Sequence, residues 1–360
     1  METMEEYKMI RIINEEPEFS EGQKSEISAD FFILCEEGEK LFGQNIYELK
    51  ICGMSLVNWV VRVCGKQPKI IKLQKNEDAL EKIRPYIDGC EEYSVVFYAD
   101  TPLLNKAHIQ DLLEFVDRKR MNVCRLKRGF VFRNDYVLEN NEFYSIDEYD
   151  FASNDFLQVE DYDSFGKARE ILSQKIIDFH RRNGVRFQNE KTIIIDANVK
   201  IGEFSKIDSG VSLINGSIIG KNCAIGKNAK ITGSKIGNDL RIGDGTVVSD
   251  SIIKDNSFVG DDVMIKNSVA GNNVIIEFGA KLSSSSLRDK VVVKSFVTID
   301  EGRIGENTVI QKHSRILGLT GRVIVGHSTE IGANSELIDC EIEANGFVEN
   351  GTKITGGVKE

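Results

Sequence analysis

From about Ile195 to the end of the chain, hydrophobic positions recur every six residues, each aliphatic residue being followed by Gly, Asp, Glu, Asn or a small residue. In Ile201-Gly202-Glu203-Phe204-Ser205-Lys206, Ile219-Gly220-Lys221-Asn222-Cys223-Ala224 and Ile225-Gly226-Lys227-Asn228-Ala229-Lys230 the aliphatic first position is matched by a small or apolar fifth. Ile242, Ile253, Val259, Ile265, Ile304, Ile310 and Ile331 keep the beat. A fixed short period with Gly and Asn at the corners predicts a parallel β-helix, each hexad forming one flat face and three faces making a coil. The aliphatic residue fills the prism, and the Gly or Asn takes a φ > 0 corner that strains a branched residue. Alternating strands of a sandwich are the competing arrangement, but sandwich turns recur every ~8–12 residues and share no six-residue phase. The beat slips where Ile231 is followed by Ile236 and again around Ser283 to Ser286, which predicts loops there.

The first half has another rhythm. Phe31-Phe32-Ile33-Leu34-Cys35, Lys69-Ile70-Ile71-Lys72-Leu73 and Ser94-Val95-Val96-Phe97-Tyr98 are short apolar runs, expected for strands buried on both faces. Helical patterns lie between and after them: Ser55 to Val63, Asp78 to Ile87 and His108 to Arg118. This alternation predicts a Rossmann-like parallel sheet wrapped by helices, with ligands at the carboxyl ends of its strands. Asp163 or Ser164 can cap a joining helix with an apolar face of Phe165, Ala168, Ile171, Leu172, Ile176 and Phe179. Its basic end, His180-Arg181-Arg182, suits the negative helix terminus, and Gly184 suits a left-handed position beyond it. The chain therefore divides into an α/β domain (1–162), a linker helix (163–185) and a β-helix (186–360).

Charge and composition narrow the function. The 360 residues are 41% hydrophobic and 29% charged, with a net charge of −11. That balance suits a soluble globular protein and argues against nucleic acid or an anionic membrane as partner. No apolar run approaches the ~20 residues of a membrane span, and Met1 to Glu6 lacks the basic and apolar regions of a signal peptide. The seven cysteines are scattered singly, without Cys-x-x-Cys, which argues against a disulfide framework or zinc cluster. A cytoplasmic location is expected.

The candidate chemistry begins at Ala99-Asp100-Thr101-Pro102, where an acid ends a buried strand, placed to hold a divalent cation or to cap the next turn. Four stretches resemble the bifunctional bacterial N-acetylglucosamine-1-phosphate uridyltransferase and glucosamine-1-phosphate acetyltransferase family, and sugar-1-phosphate nucleotidyltransferases more broadly. Ile51-Cys52-Gly53-Met54-Ser55 looks like its "Gly-x-Pro-Met" segment, and Asp100-Thr101-Pro102-Leu103-Leu104 is similar to its metal-binding strand end. Ala168 to Gly184 resembles its linker helix, and Ile195 to Gly202 its entry into a left-handed β-helix. The resemblance implies Mg²⁺ held by Asp100, with Glu160 at the second metal position.

Three departures bear on activity. Where the family has a Gly-rich loop with an Arg, this chain has Leu34-Cys35-Glu36-Glu37-Gly38-Glu39-Lys40-Leu41, whose three carboxylates repel a triphosphate. The family's Lys falls near Ile46, with Lys40 or Lys50 as substitutes. Its "Gly-Thr-Gly-His" base-binding segment has no counterpart between Leu73 and Val95. In the second half, His313-Ser314-Arg315-Ile316 resembles the stretch with the family's catalytic His, so His313 is the candidate general base for acyl transfer from acetyl-CoA, or else a polar residue on a β-helix face. Lys281, Arg288, Lys290 and Lys294 fall where the family places phosphate-binding cations, or form a solvated loop. The family's Asn-Tyr-Asp-Gly loop is missing.

Trp59 reads as core, His108, His180 and His327 as surface or capping residues, Ser283 to Ser286 as a loop excursion, and the acidic stretch Glu15 to Glu26 as a solvated segment. The leading expectation is a divergent sugar-1-phosphate nucleotidyltransferase acting on a sugar phosphate in nucleotide-sugar and cell-envelope precursor synthesis. The alternatives are a non-catalytic homologue that binds a nucleotide sugar or regulates a paralogous catalytic subunit, and a hexapeptide-repeat acyltransferase. The resemblance, and flat prism faces that pack about a threefold axis, imply a homotrimer.

Overall fold

A computed structural model describes residues 27–38, 40–64, 67–140, 148–149, 154–356 and 358–359. Glu39 and the acidic stretch from Glu15 to Glu26 lie outside these described residues. In the first half, the apolar runs form strands Ala29–Glu36, Lys69–Leu73 and Tyr93–Tyr98. The Ala29–Glu36 strand lies between the other two, parallel to both. The sheet is nevertheless mixed. Gly129–Arg133 runs antiparallel to Tyr93–Tyr98 and to Val123–Leu126, and Glu148–Tyr149 closes that edge. The reversal comes from a two-residue turn, Lys127-Arg128, which joins the strands as a hairpin, whereas the all-parallel sheet expected from the pattern would need a crossover connection.

Helices α1 (Leu56–Val63) and α3 (Lys106–Lys119) share one core with one face of the sheet. Helices α2 (Ala79–Ile83) and α4 (Asn134–Glu139) pack on the other. Coverage of both faces explains why these strands read as continuous apolar runs rather than alternating ones. Helix α2 ends sooner than the pattern to Ile87 suggests because Pro85 turns the chain into a 3₁₀ segment, Arg84–Tyr86. Trp59 is core, as expected, its indole N–H donating to the Ile51 carbonyl at 3.0 Å.

The joining helix, α5, runs Tyr162–Arg182. Its cap is Asp161, not Asp163 or Ser164. The Asp161 carboxylate accepts the Ser164 N–H at 2.7 Å while the Ser164 hydroxyl takes the Asp161 N–H, a reciprocal box that places both expected caps inside the first turn. Gly184 takes the left-handed conformation, φ +83. Two residues of the expected pattern exchange places: Phe179 is 52% exposed, whereas His180 is buried at 4%. His180 stands four and three residues after buried Ile176 and Ile177, so helical geometry carries it onto the inner stripe. Burial alone pushes its imidazole down to about 4.

The second half is a left-handed parallel β-helix whose three faces are ten-stranded sheets of two- and three-residue strands. Its register steps eighteen residues from Ile207 to Ile225 and seventeen in each step from Ile225 to Ile242, Val259, Ile276, Val293 and Ile310. The missing residue always leaves the same corner, between Ile231 and Ile236, Val248 and Ile253, Ile265 and Ala270, Leu282 and Leu287, and Ile299 and Ile304. The slips read as loops are therefore tight five-residue corners.

Serines make that corner possible. Ser234, Ser251, Ser268 and Ser285 stack there, all buried. Each hydroxyl donates to the carbonyl two residues earlier and accepts the N–H of the next coil: Ser251 N to Ser234 Oγ at 3.1 Å, Ser268 N to Ser251 Oγ at 3.0 Å, Ser285 N to Ser268 Oγ at 3.1 Å and Gly302 N to Ser285 Oγ at 3.1 Å. These bonds satisfy backbone groups that the shortened corner withdraws from the sheets. Ser285→Ala is expected to cost about 1–2 kcal/mol in a urea melt because it strands the Gly302 N–H, whereas Ser284→Ala, at the exposed tip, stays within about 0.5 kcal/mol. Equal effects would remove the ladder from the account. The real excursion is Gly318 to Arg322, where the Asp339 carboxylate of the next coil accepts the N–H groups of Leu319 (2.8 Å) and Gly321 (3.0 Å).

The halves share one continuous core through α5. The Cys52-Gly53 turn docks on the first coil, its Cys52 carbonyl accepting the Ala197 N–H at 2.9 Å. Gly53 (φ +75) sits directly against the Asp196 carboxylate, where a Cβ would collide. Among the described residues no helix is long and apolar enough to cross a membrane.

Candidate functional site

Asp100 lies where the pattern places it, just beyond the carboxyl end of the Tyr93–Tyr98 strand, and is 8% exposed. Its carboxylate is already engaged. Arg128 grips it with two nitrogens, Nη2 to Oδ2 at 2.7 Å and Nε to Oδ1 at 3.3 Å, and Gln158 Nε2 donates to Oδ2 at 3.0 Å. The same Arg128 Nη2 also pairs with Glu36 Oε2, at the end of the neighbouring strand. The guanidinium lies over the Tyr98 ring, its carbon 3.9 Å from the ring centroid. Burial pushes the Asp100 carboxyl above its usual range, with Arg128 and Gln158 opposing the shift. At Arg128 burial works against the charge, but Asp100 and Glu36 outweigh it and the net shift is upward.

Glu160 does not join this group: it is exposed, and its backbone N–H goes to Ser164 Oγ at 3.1 Å. The segment's contact with Asp100 is made by Gln158 and by the Val159 N–H, which donates to the Asp100 carbonyl at 2.9 Å. Among the described residues no three His, Cys, Asp or Glu side chains converge as a metal-holding group. Mg²⁺ needs open oxygen ligands, and here donors of the protein occupy both Asp100 oxygens, so the residues present do not fit the ion.

Beside this network a cleft of about 630 Å³ opens at the carboxyl ends of the Ala29–Glu36 and Lys69–Leu73 strands. Its apolar walls include Leu73, Leu80, Tyr98 and Phe130, and its acids are Glu36, Glu37, Glu77 and Asp78. Most of these acids have structural work. Glu37 pairs with Lys72 at 3.3 Å, Glu77 with Lys82 at 2.8 Å, and Asp78 caps α2. Among the described residues Lys75 is the one cation in the cleft lining, against four acids, which is not the charge balance of a triphosphate cradle. The candidate substitutes Lys40 and Lys50 are exposed on two short ribbons outside this lining.

The β-helix candidates are spread over different edges. Lys281 is exposed on one face, and Arg288 and Lys290 follow the next. Lys290 pairs with Glu306 at 3.4 Å and Lys294 with Glu277 at 2.7 Å, so these cations do not form one anion pocket. His313 is exposed in a left-handed corner (φ +62) and lies flat on Phe296, ring centroids 5.1 Å apart, and Phe296 in turn makes an edge-to-face contact with Phe278. Its backbone N–H donates to the Ser295 carbonyl of the preceding coil at 3.1 Å, but no carboxylate or carbonyl among the described residues orients its imidazole.

Two features escaped sequence reasoning. Arg128 and Gln158 carry no motif, and they meet Asp100 across separations of 28 and 58 residues. His108, expected at the surface or in a cap, pairs through Nδ1 with the buried Asp155 carboxylate. His327 is exposed, as expected.

Comparison with known proteins supports the resemblance in the β-helix. The family model for the GMPPB C-terminal domain matches residues 189–277. The bifunctional protein GlmU of Lactobacillus johnsonii is 37% identical over 84 residues, 23% of this chain and 18% of that protein. GlmU of Enterococcus faecalis is 37% identical over 73 residues, 20% of this chain and 16% of that protein. The chain thus spans less than a fifth of the length of these curated relatives. Among solved structures, a UDP-N-acetylglucosamine acyltransferase from Campylobacter jejuni matches at TM-score 0.23 and 19% identity, over 44% of this chain and 68% of that one. A perosamine N-acetyltransferase variant from Caulobacter crescentus, in complex with CoA and GDP-perosamine, matches at TM-score 0.14 and 12% identity, over 91% and 94%. Neither likeness is close enough to carry a site from one protein to the other.

Proposed function

We propose that this chain is a non-catalytic relative of the sugar-1-phosphate nucleotidyltransferases. Its β-helix would assemble a homotrimer, and its α/β domain would bind a nucleotide sugar or engage a paralogous catalytic subunit without metal-dependent triphosphate chemistry. The observation that carries this reading is the closed carboxylate of Asp100. In-line transfer to a sugar phosphate needs charge neutralisation at the α-phosphorus. Here the strand-end acid is committed to Arg128, and the loop that would cradle phosphates supplies Glu36 and Glu37.

Thermal shift and calorimetry with uridine, thymidine, guanosine, cytidine and adenosine triphosphates, each with Mg²⁺, test the proposal. The expected result is no saturable binding, for the wild type and for Asp100→Ala alike, and a stabilising shift with a nucleotide sugar or on mixing with the paralogous subunit. Mg²⁺-dependent binding of any triphosphate that Asp100→Ala abolishes would restore the catalytic reading. Acyl transfer is the second reading, favoured by the exposure of His313, stacked on Phe296, on an edge where another protomer could supply an orienting group. It requires stabilisation by acetyl-CoA that His313→Ala removes.

A further inference from the structure

We propose that Arg128 is the resident cation of the strand-end site: it closes a latent divalent-cation site formed by Asp100 and Glu36, a pair that neither the family resemblance nor the sequence pattern brings together. The inference rests on the metal-free reading of the α/β domain and goes further, because it names the residue that makes the site metal-free and the ligands that its removal would expose.

The geometry is that of an ion held between two carboxylates. One guanidinium nitrogen, Nη2, contacts Asp100 Oδ2 at 2.7 Å and Glu36 Oε2 on its other side. Two oxygens that can share one nitrogen can also share one metal ion, since divalent cations bind oxygen at about 2.0–2.6 Å. The two acids end adjacent parallel strands, so the sheet fixes their separation. Gln158 supplies a further polar group on Asp100.

Arg128 is held in place by the backbone that carries it. It is the second residue of the Lys127-Arg128 turn, and Gly129 follows at φ +136, a conformation that side chains other than glycine rarely adopt. A Cβ at Gly129 would collide with the Val96 carbonyl oxygen, so the hairpin lies closer to the central strand than any other residue allows. That closeness brings the guanidinium over Tyr98 and onto the strand ends. An arginine is also the one cation that cannot be vacated by deprotonation, so the closure holds at every pH at which the protein is folded. Without it, two carboxylates would share one partly buried site and would have to take up a proton or a cation.

The experiment uses Mn²⁺ as the probe on the full-length protein, followed by electron paramagnetic resonance and calorimetry at pH 7. Wild-type protein is expected to bind no Mn²⁺ saturably at this site. Arg128→Met, which keeps an unbranched apolar stem and removes the charged guanidinium, should gain one site per chain, with affinity at least about a hundredfold above the wild type. Arg128→Lys should stay metal-free, and Arg128→Met with Glu36→Gln should lose the gained site. Saturable Mn²⁺ binding by the wild type that Asp100→Asn abolishes would overturn the proposal, and this arm stands even if Arg128→Met fails to fold. A folded Arg128→Met variant that binds no Mn²⁺ would overturn it as well. The nucleotide titrations report separately on the functional reading: triphosphate binding by a protein that takes no Mn²⁺ would sink that reading and leave Arg128 as the resident cation.

Discussion

Between pH 6.5 and about 4 the wild-type protein should lose about 3 kcal/mol of stability that a His180→Leu variant keeps. The sign follows from burial. In the unfolded chain the imidazole takes up its proton near pH 6.5, but in the folded protein the buried ring of α5 resists protonation until about 4. Across that window the unfolded state holds the extra proton, so stability is complete above pH 6.5 and drains as the pH falls. Below about 4 both states are protonated and the slope from this residue ends. The helix terminus would favour a charged ring at this position, yet burial outweighs it, and no charged partner contributes to the shift. Carboxylates held below their usual range, such as Glu277 and Asp289, add losses toward the acid end of the window, and the raised Asp100 carboxyl works in the opposite sense, but these groups are common to both proteins and cancel in the comparison with His180→Leu. Urea titrations at half-unit pH intervals, read through the single tryptophan Trp59, which packs in the same core as α5, would measure it. Parallel curves for the two proteins would show that the ring is not held neutral by burial.

Gly220→Ala should destabilise the β-helix by about 2–3 kcal/mol, and Asn222→Ala, two residues on, by about 1 kcal/mol. The two residues belong to one hexad and have different physical duties. Asn222 occupies the left-handed corner, φ +55, and its exposed amide donates to the Asp239 carboxylate of the next coil at 2.7 Å, so another L-residue loses the backbone preference and one solvent-exposed hydrogen bond. Gly220 is not among the positive-φ residues. A Cβ there would run into the Gly237 carbonyl of the next coil, and a rigid backbone neighbour cannot swing aside as a flexible side chain can. The ranking is checked by thermal unfolding followed by circular dichroism. Equal costs, or a larger cost at Asn222, would return the glycine to the role of a corner residue.

That contrast corrects the sequence reading of the hexad. The period itself was legible because each face of a β-helix is built by one short segment, so core and corner repeat in the order of the chain. The left-handed corners at Asn222, Asn228, Asn256 and Asn273 follow from the side chain's tolerance of φ > 0. The glycine after the isoleucine answers to a neighbour one coil away, and composition cannot distinguish these two reasons for a small residue. The five-residue corners were visible only as lapses in the beat. Their meaning appears when Ser234, Ser251, Ser268 and Ser285 stand above one another, because a hydroxyl that accepts from the next coil replaces the residue that was lost.

By itself, the chain's pattern determined what local periodicity can encode: buried strands covered on both faces, a joining helix ending before Gly184, and a β-helix reached through α5. It also placed Asp100 at the end of a buried strand. Tertiary structure alone decided what Asp100 does, because a carboxylate's chemistry depends on the groups that enclose it. Those groups come from a hairpin turn and from Gln158, brought together by the antiparallel return of Gly129–Arg133 against the central strand. Charge interaction depends on distance through space, and the 92 residues separating Glu36 from Arg128 conceal a direct contact between them.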